Sequence, residues 1–324
     1  DTGNLLCECR NMEEADALRG IISGSVVWMD TVLGDYSEYD DRRLTVLNEV
    51  LEYFQEQNAS YALCRPEESE KEMFALHGFV PVKGAEEIYY VDLKAPLVIF
   101  YDTPALLKEE LAKSLEVKRA VRRSHIRLLA MLSKIYPGKL LLCFESGFLN
   151  YRLLKRITEE NGVSLIPDPQ RRNGEKMCVP FGKILKGVRV PNTVTKELET
   201  EKLYKKDLSG FVIKEYQGYA SLPIQLRTIR SFDRPMILVD DLFHTGHRMK
   251  ELGKHLKTEG VGQFQLLTGV LSGRGRDLAK TQGLEVQYVY TVPNLGAWLI
   301  ESDLYPFRGG DGVECMEHFG ELCP

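Results

Sequence analysis

Apolar positions along the first hundred residues recur with the spacing of alternating strands and helices. Runs rich in β-branched and aromatic residues are typical of strands, and apolar residues three and four apart mark one face of a helix. The predicted elements are a strand over residues 25–33, a helix with Leu44, Leu47, Leu51 and Phe54 on one face, a strand over 61–64, a helix over 67–75 and a strand over 88–93. This block is therefore predicted to be a small α+β unit.

A long helical stretch over residues 104–136, predicted to break near Val117, leads into a second series of elements. These are strands over 139–144, 235–240, 264–270 and 284–291, and helices over 151–160, around Met249, Leu252 and Leu256, and over 277–282. Alternation at this spacing predicts a parallel sheet, whose ligands bind at the carboxyl ends of its strands. The predicted fold class is α/β, and a chain of 324 residues favours two domains. The predicted organisation is an α+β half-domain over 1–100, a helical connector over 101–137 and an α/β domain over 138–324.

Composition excludes several classes of protein. The chain is 44% hydrophobic and 27% charged, as ordinary globular proteins are. No apolar run approaches the roughly 18 residues of a membrane-spanning helix, so no membrane association is predicted. The formal charge of −5 at pH 7 gives no overall attraction to nucleic acid.

The cysteines and the first residues bear on where the protein resides. Seven cysteines without a CxxC pair, and with no secretion signal before them, favour free thiols in a reducing cytoplasm. The chain opens at Asp1 without a methionine, which indicates a processed product or a piece of a longer protein.

One short sequence characterises the first block. FALHGFVPV at residues 74–82 precedes the strand IYYVDL at 88–93, and with the order of elements over about 20–95 it resembles the second half of the GNAT acetyltransferase fold. That family binds the acetyl-CoA pyrophosphate with a Gly-rich turn at the start of its main helix. Residues 36–43 hold that position here and contain three acidic residues and no glycine. We therefore interpret the block as structural or regulatory, with acetyl transfer as the alternative.

The sequence ILVDDLFHTGHR, at residues 237–248, carries the most specific chemistry. Asp240 and Asp241 follow a buried strand and are suited to vicinal hydroxyls or a metal-bound substrate. Thr245 and Gly246 then open a helix, where unpaired N–H groups and the positive end of the helix dipole attract an anion. Hydroxyl recognition beside a phosphate site predicts a ribose 5-phosphate ligand.

This stretch resembles the PRPP-binding motif of the type I phosphoribosyltransferases, and residues from about 139 to 310 share the resemblance. It implies that Asp240 and Asp241 face the ribose hydroxyls and that the turn through Thr245, Gly246 and His247 wraps the 5-phosphate. Arg248 departs from the motif, because the family prefers a hydroxyl residue there. An arginine suits phosphate by its charge, but its bulk also opposes the ligand.

Further segments correspond to other parts of that family. Ser146 and Gly147 stand where the pyrophosphate loop would follow the first strand, next to an unfavourable Glu145. Residues 167–210 resemble a flexible hood, whose Lys183, Lys186 and Arg189 would neutralise a leaving pyrophosphate. Arg274, between two glycines, belongs to a second candidate anion loop. An ordinary basic loop and a plain turn are the alternatives for these last two segments.

Three other groups of residues have competing interpretations. Arg119, Arg123 and Arg127 form one i, i+4 stripe within the basic segment 118–127. This stripe either binds a phosphate-rich partner, which could be a nucleic acid, or is an ordinary solvated face. His244 and His247 are less suited to a transition metal than the acidic pair is to Mg²⁺ held through substrate oxygens. The aromatic residues before Arg308 would stack on a base or pack in a core: Trp298, Tyr305 and Phe307.

The sequence thus supports three functional hypotheses. The first is Mg²⁺-dependent phosphoribosyl transfer, or nucleotide pyrophosphorolysis, in which Asp240 and Asp241 orient the ribose and the 245–248 turn anchors the phosphate. The second is a module that binds a phosphoribosyl or nucleotide ligand without turnover, and the third is acetyl transfer by the first block. The acceptor base is not encoded in any motif, and the 104–136 segment suggests interdomain docking or self-association.

Overall fold

The structure is a computed structural model that describes residues 9–10, 25–29, 41–169, 173–207, 209–262, 264–304 and 312–313. For residues 9–10, 41–43 and 312–313 it describes the backbone and not the side chains. The strands are β1 (Cys9–Arg10), β2 (Val26–Met29), β3 (Tyr61–Cys64), β4 (Val80–Val82), β5 (Ala85–Tyr101), β6 (Lys139–Glu145), β7 (Met177–Pro180), β8 (Val194–Thr195), β9 (Thr200–Tyr204), β10 (Phe211–Glu215), β11 (Met236–Phe243), β12 (Phe264–Ser272), β13 (Val286–Val292), β14 (Ala297–Ile300) and β15 (Gly312–Val313). The helices are α1 (Asp41–Glu56), α2 (Lys71–Leu76), α3 (Thr103–Leu106), α4 (Glu109–Lys113), α5 (Leu115–Ile135), α6 (Ser146–Glu160), α7 (Leu222–Arg230), α8 (His247–Thr258) and α9 (Gly273–Gln282), with a 3-10 turn at Glu301–Leu304.

The chain forms two compact units, each built from two stretches of sequence. The first unit comprises Asp1–Glu145 with Val292–Ile300, and the second comprises Ser146–Thr291 with Glu301–Pro324. This division differs from the predicted one at residue 138, because β6 belongs to the first unit. In addition, the short strand β14, which comes late in the chain, belongs to the first unit.

The first unit is organised around the long strand β5. The sheet order is β1-β2-β3-β5-β14, and β4 and β6 also pair with β5. The first half of β5 is antiparallel to β3 and β4, and its second half is parallel to β6 and β14. The register shifts between Asp92 and Leu97, around Pro96, whose missing N–H interrupts a ladder. The predicted strand over 88–93 is therefore the start of an element of 17 residues.

The predicted strand over 139–144 forms as β6, but not as the first strand of the second unit's sheet. It pairs in parallel with β5, register Leu97 to Leu141 and Phe100 to Phe144. The parallel pair needs a crossover connection, and helices α3 to α5 between β5 and β6 provide it. Leu129 and Leu132 of α5 pack on Ile99 and Leu141. The predicted helix 104–136 is divided into three, with α5 capped by Ser114 rather than broken near Val117.

The segments that carry the acetyltransferase resemblance form the predicted order β2, α1, β3, α2 and β5. Residues 36–40 of the predicted pyrophosphate turn lie outside the described residues, so that interpretation stays a prediction. Gly78 of the FALHGF segment has φ +91°, and a Cβ there would lie 1.9 Å from the Lys139 carbonyl oxygen. This glycine therefore has a packing role. Trp298 stacks on Phe100 with ring centroids 6.0 Å apart, as the packing interpretation predicts for this residue, while Tyr305 and Phe307 lie outside the described residues.

The second unit contains a five-stranded sheet of order β13-β12-β11-β7-β8. β11 is parallel to both β12 and β7, and β7 is parallel to β8. A second sheet has the order β10-β9-β15, and of its strands only β9 lies within the predicted hood at 167–210. The unit is thus α/β with a parallel sheet, as predicted for its class. Its core is apolar and includes Val179, Leu226, Leu238, Leu252 and Leu266.

Within the residues that the structure describes, no helix has the length and hydropathy needed to cross a membrane.

Candidate functional site

The acidic pair lies inside strand β11, three residues short of the strand's end. The predicted strand ended at Asp240, but β11 continues to Phe243, and Asp240 is paired with Thr268 of β12. Asp240 and Asp241 are 2% and 3% exposed. Both carboxyl groups are therefore buried and need partners within the protein.

Asp241 binds the backbone of the loop that follows β7. Its carboxylate accepts hydrogen bonds from the amide nitrogens of Lys183, at 2.9 Å, and of Ile184, at 2.8 Å. Gly182 permits this approach, because a Cβ there would lie 2.2 Å from Asp241 Oδ1. Asp241 thus fixes the loop to the sheet.

Asp240 is paired with Arg248, from the first turn of α8. Arg248 Nη1 donates to Asp240 Oδ1 at 2.8 Å and lies 3.5 Å from Asp241 Oδ2, while Arg248 Nη2 donates to the carbonyl of Phe181 at 2.7 Å. The amide of Asp241 also donates to Asp240 Oδ1 at 2.8 Å. Burial raises the pKa of Asp240 to about 6, although the charges of Arg248 and Lys202 act in the opposite direction. The position that departs from the motif therefore supplies a cation that pairs with Asp240 and lies beside Asp241.

The turn after β11 has the geometry of an open helix start. Gly246 is the N-cap of α8 in the left-handed region, with φ +66°, and no side chain caps the helix. A Cβ at Gly246 would lie 2.3 Å from Leu278 Cδ2 as well as being strained, so glycine is required. Thr245, directly before Gly246, is exposed beside the backbone N–H groups of the first turn of α8. His247 turns elsewhere, because its Nε2 donates to the Phe211 carbonyl at 3.0 Å and its ring packs edge-on against Phe211.

A second helix start adjoins this turn. Ser272 caps α9 by accepting a hydrogen bond from the Gly275 amide at 3.0 Å, and its hydroxyl shares a 2.7 Å hydrogen bond with His244 Nδ1. A Cβ at Gly275 would lie 2.1 Å from the Phe243 carbonyl oxygen, so this glycine lets α9 begin against the end of β11. Because β11 and β12 are parallel neighbours, the helices that follow them begin side by side.

The N-termini of α8 and α9, which we call the paired helix starts, have electrostatics that favour an anion. Arg274 is exposed in the first turn of α9. Burial, and to a lesser extent the charge of Arg274, lower the pKa of His244, so the imidazole is neutral at pH 7. The fixed positive features are therefore the two helix dipoles and the Arg274 guanidinium.

The remaining predicted site residues lie elsewhere in the second unit. Ser146 is buried and Gly147 is exposed at the start of α6, which begins where a turn was predicted. In the predicted hood, the Lys183 ammonium pairs with Asp303 and the Lys186 ammonium lies 3.3 Å from Glu199. Arg189 is exposed. The structure thus brings Thr245, Gly246 and Arg274 to the paired helix starts, while the Lys183 and Lys186 ammonium groups are in ion pairs.

Direct coordination of a cation by the acidic pair does not fit the arrangement of its oxygens, and the indirect Mg²⁺ site, held through substrate oxygens, stays a prediction. Both Asp241 oxygens accept backbone N–H groups, and Asp240 Oδ1 accepts the Arg248 guanidinium, which stands where a cation would bind. Among the described residues there is also no cluster of three or more His, Cys, Asp or Glu side chains suited to a metal.

Sequence reasoning missed Ser272 and Gly182. Ser272 ends a strand and precedes a glycine, which is the pattern of a helix N-cap, so a signal was present. Gly182 carried no such signal, because its contact with Asp241 joins segments 59 positions apart.

Comparison with known proteins gives limited similarity. No protein-family model matches the chain, and no curated protein matches it. Among solved structures, the purine phosphoribosyltransferase from Pyrococcus horikoshii Ot3 aligns with 48% of this chain and 87% of its own, at 13% sequence identity and a TM-score of 0.30. A similarity this loose identifies neither family nor activity, so the function has to be inferred from the site itself.

Proposed function

We propose that the second unit binds a phosphoribosyl compound, PRPP or a nucleotide, with its 5-phosphate at the adjoining starts of α8 and α9. The observation that carries this proposal is the His244–Ser272 hydrogen bond, which joins the two helix starts within one site. Unpaired amide groups of two helices converge there with the Thr245 hydroxyl and the Arg274 guanidinium. Such a combination favours a dianionic phosphate over a neutral group.

The state of the acidic pair favours binding without turnover. A transferase of the kind that the motif resembles needs Asp240 and Asp241 to face ribose hydroxyls. Here both are buried, Asp241 holds the 181–184 loop and Asp240 is paired with Arg248. Exposing them to a ligand would break a buried ion pair, which costs about 3–5 kcal/mol when one partner is lost. We therefore favour a regulatory module that senses a phosphoribosyl or nucleotide ligand.

Phosphoribosyl transfer is the second candidate, and one observation favours it. The β9–β10 hairpin contacts the start of α8, where the Phe211 carbonyl accepts a hydrogen bond from His247, and the charge of Lys202 in this hairpin acts to lower the pKa of Asp240. A hairpin that brings Lys202 near the acidic pair would be a suitable cover for a transfer reaction that must exclude water. In this case a ligand would displace Arg248, freeing Asp240 to orient the ribose, and Lys183 and Arg189 would meet the pyrophosphate.

Calorimetric titration of the full chain separates these proposals. We would titrate ribose 5-phosphate and PRPP, each with Mg²⁺ and with a chelator, into the wild type, Thr245→Val and Arg274→Gln. Each substitution removes a hydrogen bond to a charged phosphate, worth about 1.5–3 kcal/mol, so affinity should fall roughly tenfold or more. Lys280→Gln is the matched control, because it removes an exposed charge from the last turn of the same helix.

Three results distinguish the candidates. Binding of both ligands that does not depend on Mg²⁺, weakened by Thr245→Val and Arg274→Gln but not by Lys280→Gln, supports the sensing module. Binding of PRPP alone, with release of pyrophosphate when bases are added, supports transfer. Absence of binding, or equal effects of all three substitutions, contradicts both.

A further inference from the structure

Helix α5 of the first unit carries a concentration of positive charge that the proposed function does not use. Its 21 residues include six lysines and arginines and one acid, Glu116, a formal charge of +5 within a chain of net charge −5. From Val117 to Phe144 the sequence contains no Asp or Glu at all.

Four of the five exposed cations lie on one face of this helix. At 100° per residue, Arg119, Arg123, Arg127 and Lys134 fall within an arc of about 80° and span about 22 Å of the helix axis. All four residues are exposed. Leu129 and Leu132 lie on the opposite side, packed against the sheet of the first unit. We call the surface of these four cations the α5 basic face.

The arginines of the α5 basic face are not neutralised by neighbouring residues. Within the described chain, the side chains of Arg119, Arg123 and Arg127 take part in no hydrogen bond or ion pair. Four exposed cations with one acid, Glu116, on the same face leave a net positive charge that attracts anions, and arginine binds phosphate in a bidentate manner.

The chemistry of this face favours a nucleic acid over a membrane. A membrane-binding amphipathic helix inserts its apolar face into the bilayer. The apolar face of α5 is instead part of the core, since Leu129 and Leu132 are buried. Three exposed apolar residues, Leu115, Met131 and Ile135, continue the arginine row towards the two ends of the helix, and no large exposed apolar residue lies between Arg119 and Arg127. What remains is a row of cations about 22 Å long, the length of about six phosphates at 3.4 Å each along one strand.

We infer that the α5 basic face binds the sugar–phosphate backbone of a nucleic acid, without reading its sequence. This role is independent of the phosphoribosyl site, because it uses the first unit alone. Four phosphate contacts predict that log K falls with log[salt] with a slope of about −3.6 for duplex DNA and about −2.8 for a single strand.

The test is fluorescence anisotropy of labelled 24-nucleotide duplex and single-stranded oligonucleotides with the full chain, between 50 and 300 mM salt. Arg119→Gln/Arg123→Gln/Arg127→Gln should bring the duplex slope to about −0.9, since one contact remains. Lys250→Gln/Lys254→Gln/Lys257→Gln, on the exposed side of α8, is the control of equal charge change and should bind as the wild type does. Arg119→Lys/Arg123→Lys/Arg127→Lys keeps the charge and should keep the slope while binding more weakly.

The three arginine positions are exposed and unpaired, so these variants should melt at the wild-type temperature, and circular dichroism checks that they do. The inference is overturned by any of three results. These are absence of oligonucleotide binding by the wild type at 50 mM salt, equal loss in the arginine and lysine triple variants, and equally tight arginine-dependent binding of polyglutamate or of vesicles with phosphatidylserine.

Discussion

Asp240 and Asp241 are neighbours in sequence with different surroundings, because successive side chains of a strand point to opposite faces. Asp241 meets the backbone amides of the 181–184 loop, and Asp240 meets the Arg248 guanidinium. The pair itself was evident from the sequence. Its partners were not, since they come from a loop 57 and 58 positions away and from an arginine that the family motif does not contain.

Gly182→Ala should destabilise the second unit. Its Cβ would lie 2.2 Å from Asp241 Oδ1 and 2.9 Å from the Asp241 amide, so the loop or the carboxylate must shift. Overpacking of this kind costs about 1–3 kcal/mol. Urea unfolding followed by circular dichroism measures the change. Gly210→Ala is the control, as nothing lies within 4 Å of its Cβ, and equal stabilities of the two variants would refute the assignment.

Asp240 should make stability depend on pH between about 4 and 6. Its pKa is raised to about 6, against about 3.9 in the unfolded chain, so in this window the folded state holds a proton that the unfolded state has lost. Stability from this group is therefore present at low pH and is lost as pH rises through 6. To isolate the contribution of Asp240, we would measure the urea midpoints of the wild type and of Asp240→Asn from pH 4.5 to 7.5 and take their difference at each pH. A difference that does not vary with pH would show that the pKa is not raised.

At the scale of elements, the alternation of strands and helices was predictable, and the bounds at the site were not. Gly273 and Gly275 indicated a turn, but α9 begins there because Gly275 must pack against the Phe243 carbonyl. Helix α7 was missed, because no element was predicted between residue 210 and the strand that begins at residue 235. The partner sheet of β6 was also mispredicted, because an apolar strand pattern does not specify its neighbour.

Ser272→Ala should weaken both α9 and the proposed phosphate site. It removes the N-cap of α9, worth about 1 kcal/mol, together with the hydrogen-bond partner of His244. We expect a lower urea midpoint and weaker ribose 5-phosphate binding in the same variant. Ser231→Ala removes an exposed hydroxyl at the end of α7 and should change neither quantity. If Ser272→Ala leaves ligand affinity unchanged, the two helix starts do not act as one site.

For the whole molecule, the two units are interleaved along the chain. β14 returns to the first unit and pairs with residues 97–100 of β5. A boundary at residue 138, as the sequence indicated, would separate β6 from the same strand. Composition and periodicity contain no information on such late returns, which are set by strand pairing.

A chain that ends at Thr291 should therefore lose more than its last residues. Without β14, one edge of the second half of β5 is unpaired and prone to aggregate. We expect poor solubility and aggregates in size-exclusion chromatography, whereas a chain that ends at Val313 keeps β14 and β15 and should remain soluble. A monodisperse chain ending at Thr291 with unchanged melting would contradict the observed pairing.

The central claim is that the starts of α8 and α9 together hold a ribose-linked phosphate. Hydrogen exchange followed by mass spectrometry, with and without saturating ribose 5-phosphate, tests it most directly, because the ligand should protect the backbone amides it binds. We predict slower exchange in peptides covering residues 244–248 and 272–276, and no change there with ribose. Protection confined to other segments, or none at saturation, would contradict the claim.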